Sequence, residues 1–413
     1  MVARYAYWRT PGGDAYRGND DKHAPRLLLE NIGRSAEINE EGKVAWRGWP
    51  FLRFEPAVLG SIVILDPDGE ELNRVDAAKI SREAMRSLIK ARGGSARLEP
   101  GAVMKAANTA AATHFRKPST KYVLVTTVSV RSFPVKRLSV GNCQIEAIPD
   151  RSRYLLPEVL QNEQRFGELP KTKHPYVRVS TSGRSHYEAF DRGMAALLRV
   201  CALWNLFATL GAWSIKLSGR RRNPIGVVHV GPIHTLHTPD GKPVDDYYWY
   251  ERDYAEVRQP FAPEKGWEKI EKNRRWAMAR IRQLPYSRDL HRLLLRYSAA
   301  LSTSDPDAAF LQMWGMLETI TDTVGRKYDD TIRRATWIWK GGDLASEVLG
   351  YLRCFRNQYV HSARSSDGSD QVALLMKSFI DPHLLALLRN DLRVQTLAEY
   401  ASCLSLPTSI ADL

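Results

Sequence analysis

The chain has 413 residues, more than one ordinary domain holds, which points to two or three. With 44% hydrophobic residues it can build real cores, and no run of eighteen apolar residues appears, so no membrane-spanning helix is expected. The formal net charge of +14 favours polyanionic partners such as RNA, DNA, ribosomes or an anionic membrane surface, or else serves general solubility.

Four cysteines (Cys143, Cys201, Cys354 and Cys403) show no paired spacing, which speaks against a zinc centre and against a disulfide framework. The first residues lack the apolar stretch of a secretory signal. A reduced, cytoplasmic protein without membrane association is the expectation.

Residues 1–94 read as an aromatic-rich α+β region. Trp46-Arg-Gly-Trp-Pro-Phe-Leu-Arg-Phe54 interleaves rings and cations, a pattern that stacks bases or, more commonly, plugs one domain onto another. Ser61–Leu65 reads as a strand ending in the turn Asp66-Pro-Asp-Gly69. Asp76–Arg92 reads as a helix with Ile80, Ala84, Leu88 and Ala91 on one face, closed by Gly93-Gly94.

Residues 95–262 read as an α+β middle domain with a buried central helix. Lys121–Val130 is rich in β-branched residues and reads as a strand, with Leu138–Ile148 as its partner and Tyr176–Ser180 as a further strand. The helix expected over His186–Trp213 has apolar positions around most of its circumference. Pro224–Val230 and Ile233–His237 read as strands, and Thr238-Pro-Asp-Gly241 as a turn.

Three features of this region have plain readings beside functional ones. Arg220-Arg221-Arg222 reads as a solvated basic turn in preference to a phosphate cradle. His229, His234 and His237 resemble a metal set, but alternate strand positions face opposite sides and neither carboxylate nor cysteine completes them. Asp245–Tyr250, acids beside aromatics, suits a domain interface.

Residues 263–413 are helical throughout and read as an α-bundle. Helices are expected over Glu264–Gln283 and Ser287–Leu301. The next starts with Asp305 as N-cap, Pro306 at the first helical position and Asp307 in the first turn, and ends at Gly325. Glu318 adjoins its apolar surface and must either turn outward or meet a positive partner. A short helix at Thr331–Trp339 precedes the key stretch, Ser346–His361, and Val372–Ile380 and His383–Leu392 follow as separate helices.

In Ser346–His361 the residues Val348, Leu352, Phe355 and Tyr359 make an apolar stripe. Arg353, Arg356, Asn357, His361 and Arg364 are expected on the other side. At about 100° per residue, Asn357 and His361 stand about 40° apart, whereas Arg356 and His361 are separated by about 140°. Guanidinium donors, an amide and an imidazole within two turns suit phosphate handling and proton movement. A solvated surface stripe is the plain alternative.

The run Arg356-Asn357-Gln358-Tyr359-Val360-His361 at the end of a bundle helix, the preceding Trp314-Gly-Met-Leu-Glu318 pattern, and the position of both behind an α+β region resemble the HEPN superfamily, its Apea-like branch above all. The resemblance covers roughly residues 285–395. It implies a metal-independent endoribonuclease without cofactors. Two copies of the bundle would meet as a homodimer so that both motifs form one cleft. The biological setting it implies is anti-phage defence, toxin activity or abortive infection, with an unknown phage trigger or inhibitor.

The implied catalytic residues are Arg356, Asn357 and His361, with Arg353, Arg364 and Glu318 in support. The ribose 2′-OH is the nucleophile. An imidazole with a reference pKa near ~6.5 can take its proton or protonate the leaving oxygen. Forked guanidinium groups stabilise charge on the phosphate in a way lysine does not match. The products would be a 2′,3′-cyclic phosphate and a 5′-OH. Where some relatives place a tyrosine shortly after the histidine, this chain has Ser362, Ala363 and Arg364, so regulation through that tyrosine is not expected. The alternative is a non-catalytic HEPN module that dimerises and binds RNA or protein. A helix-turn-helix DNA-binding regulator finds no compact tri-helical pattern.

Overall fold

A computed structural model of the chain describes residues 4–11, 15–18, 21–46, 49–148, 154, 174–210, 225–251, 254, 257, 259–339, 342–362 and 369–406, with the backbone alone at 49–52, 245–248, 250, 361 and 362. The contacts divide it into two units. One comprises Met1–Tyr122 with Thr181–Arg192, the other Val123–Ser180 with Gly193–Leu413. The division does not fall at residues 94 and 262, because the segment after 94 folds back onto the N-terminal elements.

The first unit contains β1 (Ala6–Arg9), β2 (Ala15–Tyr16), α1 (Arg26–Arg34), β3 (Ala36–Ile38), β4 (Val44–Trp46), α2 (Trp49–Gly60), β5 (Ile62–Ile64), α3 (Arg74–Ala91) and α4 (Pro100–Phe115). A three-stranded sheet has the order β2-β1-β5 with antiparallel pairing, and β3 pairs with β4. Ile62, Val63 and Ile64 are all buried, so the apolar run expected as a strand is one. The Gly69 N–H bonds Asp66 O at 2.9 Å, closing the expected turn. Asn73 caps α3 by accepting from the Asp76 N–H at 2.9 Å. Ile80 and Ala84 are buried as expected, but Ala91 is exposed.

The aromatic–basic segment begins at the end of β4 and enters a helix, α2. Trp46 and Phe54 pack on the core of this unit, and Arg86 covers the Trp46 ring at 5.5 Å. Both rings are partly buried there, and the side chains of Trp49 and Phe51 lie outside the described residues. Arg82 of α3 clamps Glu55 of α2 at 2.6 Å. Helix α4 has no counterpart in the sequence reading. Pro100 opens it at the first turn, and Val103, Ala107 and Ala111 bury one side.

The second unit holds a six-stranded sheet of β6 (Thr120–Thr127), β7 (Arg137–Val140), β8 (Cys143–Ile148), β9 (Tyr176–Gly183), β10 (Ile233–His237) and β11 (Pro243–Tyr250), in the order β11-β10-β6-β9-β8-β7. The ends of β6 and β9 run into the first unit. Leu138–Ile148 does not pair with β6. It forms the hairpin β7–β8, whose inner strand joins β9, with Ile145 opposite Val179.

Helix α5 (His186–Ala208) is shorter than expected, and Leu197, Leu203 and Trp204 are fully buried. Pro224–Val230 was expected to be a strand, but its described part, 225–230, touches the sheet through one bridge, Val128 to Val230. The side chain of Asn205 satisfies that segment instead. Asn205 Oδ1 accepts from Val227 N at 2.7 Å and Val228 N at 2.9 Å, and Nδ2 donates to Val228 O at 2.7 Å. Backbone groups met by an amide need no ladder.

The helices that follow are α6 (Glu268–Gln283), α7 (Ser287–Ser302), α8 (Pro306–Ile320), α9 (Tyr328–Thr336), α10 (Gly342–Ser362), α11 (Ser369–Arg389) and α12 (Leu397–Cys403). Asp305 caps α8, its carboxylate accepting from Asp307 N at 3.0 Å. Gly325 lies beyond the end of α8, which stops at Ile320. The two helices expected over 372–392 are one. Met376, Ile380, Leu384 and Leu387 form a single buried stripe on both sides of Pro382, and packing carries α11 through the proline. Among the described residues α11 is the one helix long and apolar enough to cross a membrane, and 61% of its apolar window is buried.

Candidate functional site

The site is built on α10, and its neighbours decide which face does what. Ala345, Leu349 and Leu352 are buried, while Val348, Phe355 and Tyr359 are half-buried. Phe355 meets Phe310 of α8 edge-on at 5.5 Å. Arg356 lies seven residues after Leu349 and four after Leu352, so it falls within this packed arc and not opposite it. It is half-buried.

Arg356 is carried by Tyr328, the first residue of α9. Its guanidinium sits 5.0 Å from the Tyr328 ring centroid, and that of Arg353 sits 5.3 Å away. The same ring contacts Trp314 of α8 at 6.2 Å, which ties three helices to one aromatic anchor. Two cations drawn to the face of one ring gain quadrupole attraction at the cost of mutual repulsion. Asp329 offsets one of them through a 2.7 Å ion pair with Arg353.

Arg356 has no carboxylate partner among the described residues. Its polar contact is with its neighbour, Nη1 donating to Asn357 Oδ1 at 3.4 Å. The guanidinium is thus oriented by a ring and an amide while its charge stays uncompensated.

Glu318 is half-buried, and its carboxylate accepts from Trp314 Nε1 at 2.8 Å. It meets an indole on its own helix and not a cation of α10, so the structure does not bring it to Arg356. His361 lies in the last turn of α10, and Asn357 precedes it by one turn. The side chain of His361 and all of Arg364 lie outside the described residues, as do Arg220-Arg221-Arg222. Tyr328 and Asp329 are the site residues that sequence reasoning missed. An aromatic–acid pair opening a short helix was the available signal, but its link to α10 is tertiary.

The three histidines of the middle region are held by separate partners. His229 Nε2 donates to Gly226 O at 2.6 Å, His234 Nδ1 contacts Thr126 Oγ1 at 2.8 Å, and His237 Nε2 contacts Thr235 Oγ1 at 2.9 Å. Burial pushes His229 and His237 down to about 4. No group of three metal-ligating side chains gathers among the described residues. Asp245–Tyr250 forms part of β11 at the edge of the sheet.

Comparison with protein-family models, with curated proteins and with solved structures yields no match for this chain.

Proposed function

We propose that the C-terminal helices form a HEPN-type bundle and that the protein is a metal-independent endoribonuclease of anti-phage defence or toxin type, acting as a homodimer. The observation that carries this reading is Arg356. It is an uncompensated guanidinium stacked on Tyr328 and steered by Asn357, on the same helix as His361 and five residues before it.

Such a group suits the charge that builds on a phosphate during attack by the 2′-OH. His361 acts as proton donor or acceptor, and Asn357 orients. Arg353, already paired with Asp329, contributes less direct charge. Glu318 supports the indole of Trp314.

A second copy completes the site. Leu344 and Tyr351 on α10 are 71% and 59% exposed, and Cys354 is exposed beside them. His361 follows Cys354 by seven residues, so its position turns to that face, within about 20° on a regular helix. Pairing this apolar face with its symmetry mate would bring two His361 positions together, with each Arg356, about 140° away on the packed arc, at the flank of the cleft.

Purified protein incubated with total RNA tests the reading, alongside His361→Ala and Arg356→Ala. Wild type should cut and leave 2′,3′-cyclic phosphate ends, and both variants should not. Equal cleavage by all three refutes the assignment.

The ion pair of Arg353 with Asp329 favours a second reading, in which the arginines brace α10 against α9 and the bundle binds RNA or protein without cutting. That reading predicts unchanged biological activity for His361→Ala.

A further inference from the structure

The first unit contains a pocket of about 780 Å³ that the reading above does not use. It lies along α3 and α4, where residues at spacings of three and four present one face of each helix. Its floor is apolar, with Ile80 and Leu88 facing Ala102, Ala106 and Ala110. The alanines leave the α4 side flat and open.

One end is closed by the turn between β9 and α5. Gly183 permits this turn, since a Cβ there would come 2.5 Å from Ala189 N. Arg184 is neutralised by Glu188 at 2.8 Å, and Asp76 is occupied by Ser185 Oγ and by Asn73 Nδ2 at 2.7 Å. These groups build the wall and are already satisfied.

Two kinds of group remain unsatisfied. Lys105 and Lys117 are exposed at the rim without a carboxylate partner among the described residues, and Lys79 is held there by the Tyr187 ring at 4.7 Å. Against these three cations the lining carries two carboxylates, Glu83 at the rim and Asp76 in the wall, so an excess of positive charge remains for an anion. At the inner wall His114 is 7% exposed, and its buried Nε2 has no hydrogen-bond partner among the described residues. Burial lowers its pKa, opposed by Asp76 and Glu188, so the ring is neutral at pH 7 and can donate or accept. An orphan nitrogen in such a place carries a desolvation cost that a ligand's polar edge would relieve.

The volume falls in the range of about 300–1,000 Å³ usual for small-molecule sites. A flat body to lie on the alanines, a polar edge for His114 and a phosphate for the lysines describe one chemistry. We infer that this pocket binds a nucleoside phosphate, its phosphate at Lys79 and Lys117 and its base edge at His114.

Isothermal titration of the full-length protein tests this, using the four ribonucleosides as mono-, di- and triphosphates, the same nucleosides without phosphate, and inorganic phosphate alone. At least one nucleotide should bind at least about tenfold more tightly than its nucleoside and than phosphate. Lys79→Glu with Lys117→Glu, both on the surface, should abolish that binding with little change in the melting temperature. His114→Gln should weaken it. Arg356→Ala should leave it intact, which separates this pocket from the RNA site. The inference is overturned if no nucleotide binds, if nucleoside or phosphate alone binds equally well, if the lysine pair is indifferent, or if Arg356→Ala removes the binding.

Discussion

The guanidinium of Arg356 rests 5.0 Å from the ring centroid of Tyr328, a residue of a different helix. That relationship explains why a cation can sit on the packed arc of α10. The ring supplies a favourable surface, and Asp329 neutralises the neighbouring Arg353 and not Arg356.

Tyr328→Leu should therefore lower stability by about 1–2 kcal/mol, the sum of two modest cation–π contacts. Tyr328→Phe retains the ring and should stay within about 0.5 kcal/mol of wild type. Urea denaturation of the three proteins measures this. If the leucine variant matches wild type, the ring is not the anchor of the arginines.

Arg356→Lys keeps the charge and loses the fork. Under the proposed reaction, RNA cleavage should fall by at least about tenfold while folding is preserved, since the loss falls on transition-state stabilisation. Rates that stay level in this variant would show that Arg356 has no direct role at the phosphate.

Within the bundle, Lys377 pairs with Asp381, and the Tyr297 hydroxyl donates to Asp381 Oδ1 at 2.6 Å, all at positions almost without solvent access. Burial raises the Asp381 carboxyl above its ordinary range, opposed by Lys377 and by the tyrosine. Asp381→Ala strands the buried ammonium and should cost about 3–5 kcal/mol. Lys377→Met combined with Asp381→Leu removes both charges and should recover most of it. Equilibrium unfolding of single and double variants decides this, and a double variant as weak as Asp381→Ala would count against it.

Buried histidines give the fold an acid limit, His229, His237 and His383 among them. His383 Nε2 donates to Ala335 O at 2.9 Å, and its Nδ1 accepts from the Tyr400 hydroxyl at 2.8 Å. Burial pushes His383 and His229 down to about 4. An unfolded histidine takes a proton near pH ~6.5, so below that value the unfolded state binds protons that the native state refuses. Stability is thus full above ~6.5 and declines as pH falls toward 4, by up to about 3 kcal/mol per group. Unfolding free energies measured between pH 7 and 4 should show this slope, and His383→Gln should reduce it by about one proton. Identical slopes would mean His383 is not the group that titrates.

Local signals were legible in the chain wherever neighbours in sequence settle them. The Asp305-Pro306-Asp307 start of α8 depends on a side chain reaching a backbone N–H two residues away, and Gly69 closes a four-residue turn. The bundle's buried stripes were legible for the same reason. The break expected at Pro382 and the strand expected at 224–230 fail because packing on α8 holds α11 through the proline, and because the Asn205 amide meets the backbone of 227–228 from another element.

The sequence by itself determined the α+β region before a helical bundle and the chemical vocabulary of Arg353, Arg356, Asn357 and His361, because helical period and residue type are properties of the chain. Tertiary structure decided the rest. Whether Arg356 faces solvent or a ring depends on where Tyr328 lands. That Lys79 lines one pocket with Lys117 and His114 depends on α4 folding back along α3. Burial and charge compensation are set by neighbours distant in sequence, and only packing brings those neighbours together.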